Sequence, residues 1–260
     1  MKGTIVVKIG GSTLGNHDTT LEDLVRLQQE GFWLVVVHGG GDRVSEWLAR
    51  QGHSTSFVDG ERVTDGSTLE MVAAVLAGLV NKQLVAQINS LGGRAVGLSG
   101  VDGILLEGEI RRPELGYVGE IARVNTALLD SLLEVGFIPV IAPLCSWSRA
   151  GKGEALFLNV NGDPVAGEIA RALKAERLVF LTDVEGILDE RGRRISSLTS
   201  EQVEELINSG VISGGMIPKA RAAQRALEAR CVVHIVDGRQ PHALLAVAQN
   251  QSLGTRISSG

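Results

Sequence analysis

The chain has 260 residues, 44% of them hydrophobic and only 3% aromatic, with 33 glycines, 6 prolines and a formal net charge of −5. That length fits one large domain or two closely joined lobes with a sizeable core. The negative charge argues against a nucleic-acid partner, as does the lack of any basic run longer than Arg111-Arg112 or Arg193-Arg194.

The first expected strand, 4–9, is a β-branched run carrying one charge, Lys8, and it ends in Gly10-Gly11. A helical pattern at 18–30 follows, and then the design repeats. An apolar strand at 33–38 runs into Gly39-Gly40-Gly41 and a helix at 42–51. Short β-branched runs flanked by glycine read as strands buried on both faces of a parallel sheet. Glycines at their carboxyl ends let the backbone approach a ligand and leave bare N–H groups for an anion. A lysine beside two such turns points to an enzyme that handles anions.

The longest helical pattern, 67–90, has apolar residues at Leu69, Val72, Ala73, Leu76, Leu79 and Val80. Its apolar stretch Met71–Val80, with Val75 and Leu79, predicts a face buried in the core or against a second copy of the chain. After a strand at 94–99, residues 104–123 alternate and break at glycines, which predicts a β-hairpin excursion. A helix at 125–135 and a strand at 137–142 resume the pattern, and a second excursion is expected at 146–159. The remainder reads as helices at 164–175, 199–208, 218–229 and 240–248, with strands at 178–182 and 232–236. The fold class is therefore α/β, a three-layer αβα sandwich with a mainly parallel central sheet. Its two lobes are expected at 1–165 and 166–260.

No uninterrupted apolar run approaches the ~20 residues that cross a bilayer, and the amino terminus enters a strand with no signal-peptide region. The expectation is a soluble, cytoplasmic protein without a membrane partner. Cys145 and Cys231 lie in no Cys-x-x-Cys or Cys/His spacing, and the five histidines are scattered, so no protein-built metal site is expected. Both cysteines read as small buried apolar residues.

Three segments of the second half carry polar groups where ligands bind. Asn159-Val160-Asn161-Gly162-Asp163 precedes Pro164, with Asp163 a candidate helix N-cap. Thr182-Asp183-Val184-Glu185-Gly186-Ile187-Leu188 follows a strand, at the edge where open α/β sheets bind ligands. Ser213-Gly214-Gly215-Met216-Ile217-Pro218-Lys219 opens a helix with a lysine in its first turn, which opposes the macrodipole and calls for an anion. No Walker-type loop, no Gly-x-Gly-x-x-Gly after the early strands and no Gly-x-Ser-x-Gly elbow is present.

Taken with Arg62-Val63-Thr64, Gly78–Lys82, Ala95–Gly103 and Gly116–Glu120, these segments run in the order of the amino-acid kinase family, which the chain resembles over essentially its whole length. Within that family it is similar to the branch that phosphorylates the side-chain carboxylate of N-acetyl-L-glutamate, an early step of arginine biosynthesis. The resemblance implies an amino-terminal lobe for the acyl amino acid and for dimerisation, and a carboxyl-terminal lobe for ATP. Lys8 and Lys219 match the family's transition-state lysines, Asp163 the acid that organises them, and Gly11 a glycine of the catalytic turn. Gly40, Gly41, Arg62 and Asn159 match the substrate site, Arg62 gripping an α-carboxylate with its bidentate fork. Asp183, Val184, Glu185, Gly186, Ile187 and Leu188, with Ser213, Gly214, Gly215 and Met216, match the nucleotide site. Mg2+ would be carried by the ATP phosphates, with no protein metal ligand.

Arginine-inhibited members carry an extra amino-terminal helix. Because Thr4 opens the first strand so early, the resemblance implies that L-arginine does not inhibit this chain, while the apolar face of 67–90 predicts a homodimer. A rival within the family phosphorylates a carrier-protein-linked aminoadipate or glutamate. Its basic docking residues are not matched by Asp59-Gly60-Glu61 before Arg62.

Overall fold

The computed structural model describes residues 2–11, 19–147, 149–151 and 153–259. The first half runs β1 (Lys2–Ile9), α1 (Thr20–Gln29), β2 (Phe32–His38), α2 (Gly41–Arg50), β3 (Phe57–Val58), β4 (Glu61–Arg62), α3 (Gly66–Ala73), α4 (Asn81–Ser90), β5 (Ala95–Ser99), β6 (Leu106–Glu109) and β7 (Glu120–Val124). Next come α5 (Ala127–Glu134), β8 (Ile138–Ala142), β9 (Leu144–Ser146), β10 (Phe157–Asn159) and α6 (Gly162–Ala172). The chain continues through β11 (Arg177–Thr182), β12 (Ser197–Thr199), α7 (Ser200–Asn208), α8 (Met216–Leu227), β13 (Val232–Asp237), α9 (Ala243–Ala248) and β14 (Thr255–Ser258).

Eight strands form one sheet in the order β12-β14-β13-β11-β1-β2-β8-β5. Its pairs are parallel except β13–β14. Side chains alternate along each strand, so β1 sends Val6 to one core and Ile5, Val7 and Ile9 to the other. The first core holds α6, α7 and α8 through Val165, Ile169, Val203, Ala223 and Leu227. The second holds α1, α2, α4 and α9 through Leu24, Leu48, Leu84 and Leu244. Both faces are covered, as the continuous β-branched runs require.

β1 lies beside β11, with Ile9 opposite Leu181, so the two halves share one sheet. A boundary at 165 falls inside α6. The two expected excursions join in a second sheet, β10-β9-β6-β7, through a parallel contact between Glu107 and Ser146. Three features went unforeseen: the short pair β3–β4, the edge strand β12 and its neighbour β14.

α3 and α4 belong to one helix, Gly66–Ser90, whose middle stretch Ala74–Val80 is π-helical. By length and composition this helix could cross a membrane, although no unbroken apolar run in the sequence is that long. Here Leu69, Val72, Val75, Leu76, Val80, Leu84 and Ile88 are buried, which is the behaviour of a core helix. Val75 therefore belongs to the core, while Met71 and Leu79 remain partly open. Cys145 and Cys231 are both buried and unpaired, and burial pushes each thiol up to about 12.

Candidate active site

Parallel strands end together, so the carboxyl ends of β1, β2 and β11 form a single edge. Lys8 stands next to last in β1, and its ammonium lies 2.6 Å from Asp163 Oδ1. Lys219, in the first turn of α8, lies 3.0 Å from Asp163 Oδ2 and 3.3 Å from the Gly215 carbonyl. One buried carboxylate thus clamps two lysines that lie 155 and 56 positions away from it, in opposite halves of the chain.

 

The family resemblance implies that Asp163 organises both lysines, and the fold brings the three side chains together. Burial alone would raise the Asp163 carboxyl, but the charges of Lys8 and Lys219 and their bonds hold it below the usual carboxylate range. Two ammonium groups against one carboxylate leave the cluster cationic. The N-cap of α6 is Asn161, whose side chain accepts from the Asp163 N–H at 3.0 Å, so the helix begins earlier than Pro164 and Asp163 is free to serve the lysines.

Beside the cluster lies a cavity of about 250 Å³, lined by Lys8, Gly11, Gly39, Gly40, Gly41, Arg62, Asn159 and Asn161, with Phe57, Val72 and Leu76 as apolar walls. It is at the small end for ligand pockets and suits a small metabolite. Gly40 has φ 139°, and a Cβ there would come within 2.9 Å of Leu76, so only glycine fits this turn. A Cβ on Gly11 would sit 3.4 Å from the Gly40 nitrogen, so the two glycine turns face each other closely.

Arg62 is buried, with its guanidinium 4.7 Å from the Phe57 ring centre. Nη2 donates to the Gly41 carbonyl at 2.9 Å and to Ser45 Oγ at 2.7 Å, whereas buried Nη1 has no hydrogen-bond partner among the described residues. Burial lowers its pKa, against the opposing charge of Asp42. A buried donor without an acceptor costs about 1–3 kcal/mol, and a ligand carboxylate would relieve that cost. Asn159 donates to Thr64 Oγ1 at 3.2 Å, tying the end of β10 to the segment after Arg62.

A larger cavity of about 620 Å³ adjoins this one, sharing Glu61, Val160 and Asn161 with it. Asp59, Glu61, Glu120 and Glu168 line it against Arg112 and Arg221 alone. That balance disfavours an anion, so the smaller pocket is the better acceptor site. Gly214 reaches the larger cavity, and Ser213 and Gly215 are exposed beside it in sequence. Asp183, Val184 and Glu185 are exposed at the carboxyl end of β11, next to the end of β1. Ile187 instead packs in the core, and its N–H donates to Thr255 Oγ1 at 2.8 Å. Leu188 is exposed and pairs with Arg194, while Gly186 takes φ 138° against Thr255. Met216 is partly buried at the start of α8.

Two residues of this region lie inside the family-matched segments at 38–41 and 78–82, which assign neither of them a role. His38, at the end of β2, is fully buried, and burial pulls its pKa down to about 4; its bond to Gly39 opposes the fall and the charges of Lys8 and Lys82 add to it. Its partner, Asn81, is also fully buried and lies 43 positions away. Among the described residues no group of three His, Cys, Asp or Glu side chains could hold a metal ion.

Residues 3–237 match the family model described as the amino acid kinase family. An acetylglutamate kinase from Dehalococcoides mccartyi is 46% identical over 256 residues, 98% of this chain and 94% of that protein. The crystal structure of smu.665 from Streptococcus mutans UA159 is 30% identical, with a TM-score of 0.85 and full coverage of both chains. An N-acetylglutamate synthase from Neisseria gonorrhoeae, solved with coenzyme A and N-acetyl-glutamate, is 26% identical with a TM-score of 0.84; the match covers all of this chain and 60% of that one.

Proposed function

The chain belongs to the amino acid kinase family, and we propose from its site that it transfers the γ-phosphoryl group of ATP to the side-chain carboxylate of N-acetyl-L-glutamate. The observation that carries this reading is the Lys8–Asp163–Lys219 cluster beside a pocket containing Arg62. The relative named acetylglutamate kinase, at 46% identity over nearly the whole chain, supports the choice of acceptor.

A side-chain carboxylate with a pKa near 4.3 is already ionised at pH 7, so the reaction needs no general base. Its difficulty is bringing one anion against another. Catalysis comes from alignment and from fixed positive charge beside the transferring group. Lys8 and Lys219 supply that charge, one from each half of the chain, and Asp163 holds both without taking a proton. Gly11, Gly40 and Gly41 offer backbone N–H groups, Arg62 holds the α-carboxylate, and Asn159 fixes the acyl end. The exposed edges at Asp183–Leu188 and Ser213–Met216 hold the nucleotide, Ile187 through its backbone. Mg2+ would ride on the ATP phosphates, consistent with the donor set of this site, which is rich in cations and N–H groups.

Arg62→Lys is expected to raise KM for the acyl amino acid about tenfold or more while KM for ATP changes little, because a point charge cannot reproduce the planar fork. A change confined to the ATP constant would place Arg62 at the wrong substrate. The enzyme is a homodimer in this reading, paired through the partly open Met71 and Leu79 of helix Gly66–Ser90 and working in the cytoplasm. Light scattering should give twice the chain mass, and a monomer mass contradicts the pairing.

A further inference from the structure

Beneath the glycine turn, His38 Nδ1 lies 2.8 Å from the Gly39 carbonyl, and its Nε2 lies 3.2 Å from Asn81 Nδ2. We propose that His38 is a positioning residue for phosphoryl transfer: it holds the Gly39 carbonyl inward and so turns the Gly40 N–H toward the reacting groups. This rests on the kinase reading above and adds to it the device that sets one of its backbone donors.

The hydrogen-bond roles are fixed by chemistry. A carbonyl only accepts, so Nδ1 carries the ring proton; an amide nitrogen donates, so Nε2 is the acceptor. One neutral tautomer satisfies both bonds, and the ring is neutral at pH 7 because its pKa lies near 4. The peptide joining Gly39 and Gly40 is trans, since the described chain has no cis bond. In a trans peptide the C=O and N–H point in opposite directions. With the carbonyl bound to a fully buried ring, the Gly40 N–H faces away from it, toward Gly11 and the pocket that both glycines line.

Two successive glycines have little steric resistance to rotation of the peptide between them. A rotated peptide would present its carbonyl oxygen to an anionic substrate, replacing attraction with repulsion. The His38 bond opposes that rotation, and the ring is itself anchored. Asn81 Nδ2 also lies 2.8 Å from the Val140 carbonyl, and Lys82 Nζ donates to Asn81 Oδ1 at 3.0 Å. The π-helical stretch just before Asn81 supplies Leu76 and Val80, which close against Gly40.

The test compares two amides at position 38. Asparagine places an N–H at the same number of bonds from Cα as Nδ1, whereas glutamine matches Nε2. H38Q is expected to lower kcat about 10–100-fold with KM for ATP little changed, short of deleting a preorganised donor outright. H38N is expected to recover most of that loss. Equal kcat values in the two variants, whether both impaired or both normal, overturn the proposal. Imidazole ¹⁵N resonances of the wild-type protein give a check that needs no variant: protonation at Nδ1 supports the proposal and protonation at Nε2 overturns it. Wild-type turnover of N-acetylglutamate is measured alongside. Its absence sinks the kinase reading, while the tautomer result stands apart from it.

Discussion

Replacing Lys8 or Lys219 by alanine is expected to lower kcat by about 10²–10³, with much smaller changes in either KM. The ground-state substrates are bound by other groups, Arg62 and the glycine turns among them. The lysines matter most as charge shifts between the two anions in transfer. Both ammonium groups are largely buried, with 10% and 17% of their side chains exposed, so solvent screens them weakly. Each also keeps its place through Asp163, and either single variant leaves the other lysine paired. The loss should therefore reflect chemistry rather than collapse of the site. Near-normal turnover in either variant removes that lysine from the mechanism.

Asp163→Asn is expected to lower kcat by about 10² or more, although Asp163 touches neither substrate in this account. The amide keeps the size of the side chain and leaves the Asn161 cap on the backbone intact. What disappears is the shared anion, leaving two ammonium groups in mutual repulsion. Removing one partner of a buried charge pair also costs about 3–5 kcal/mol of stability. The carboxyl is held below its ordinary pKa, so its contribution is complete above the unfolded-state value near 4 and fades as pH falls through the folded value. The stability gap between wild type and D163N, followed by thermal unfolding, should be constant above about pH 5 and narrow below pH 4. A gap that widens on acidification contradicts the assignment.

The sheet was legible because its inner strands are continuous β-branched runs ending in glycine or polar turns. β14 reads Thr-Arg-Ile-Ser, with Ile257 its one buried apolar side chain and Thr255 a buried polar one, and such a strand has no signature. β12 has only Leu198. The two hairpin excursions were visible singly, but their union depends on a long-range contact between β6 and β9 that no local pattern encodes. The lysines and Asp163 could be named from their motifs, and the geometry explains why an apparent cap residue was spared for them: Asn161 does the capping. His38 and Asn81 fall in matched segments, but their pairing stayed hidden because a buried histidine before glycines reads as an ordinary strand end until its distant partner is placed.

The central claim is transfer to a free side-chain carboxylate, and its product is an acyl phosphate, which hydroxylamine converts to a hydroxamate. The most direct measurement offers the enzyme ATP with N-acetylglutamate, N-acetylaspartate, N-acetyl-aminoadipate or carbamate, and follows ADP release and hydroxamate together. The account predicts that N-acetylglutamate gives the highest kcat/KM, with one hydroxamate formed for each ADP. Preference for another acceptor, or ADP release without hydroxamate, would contradict it.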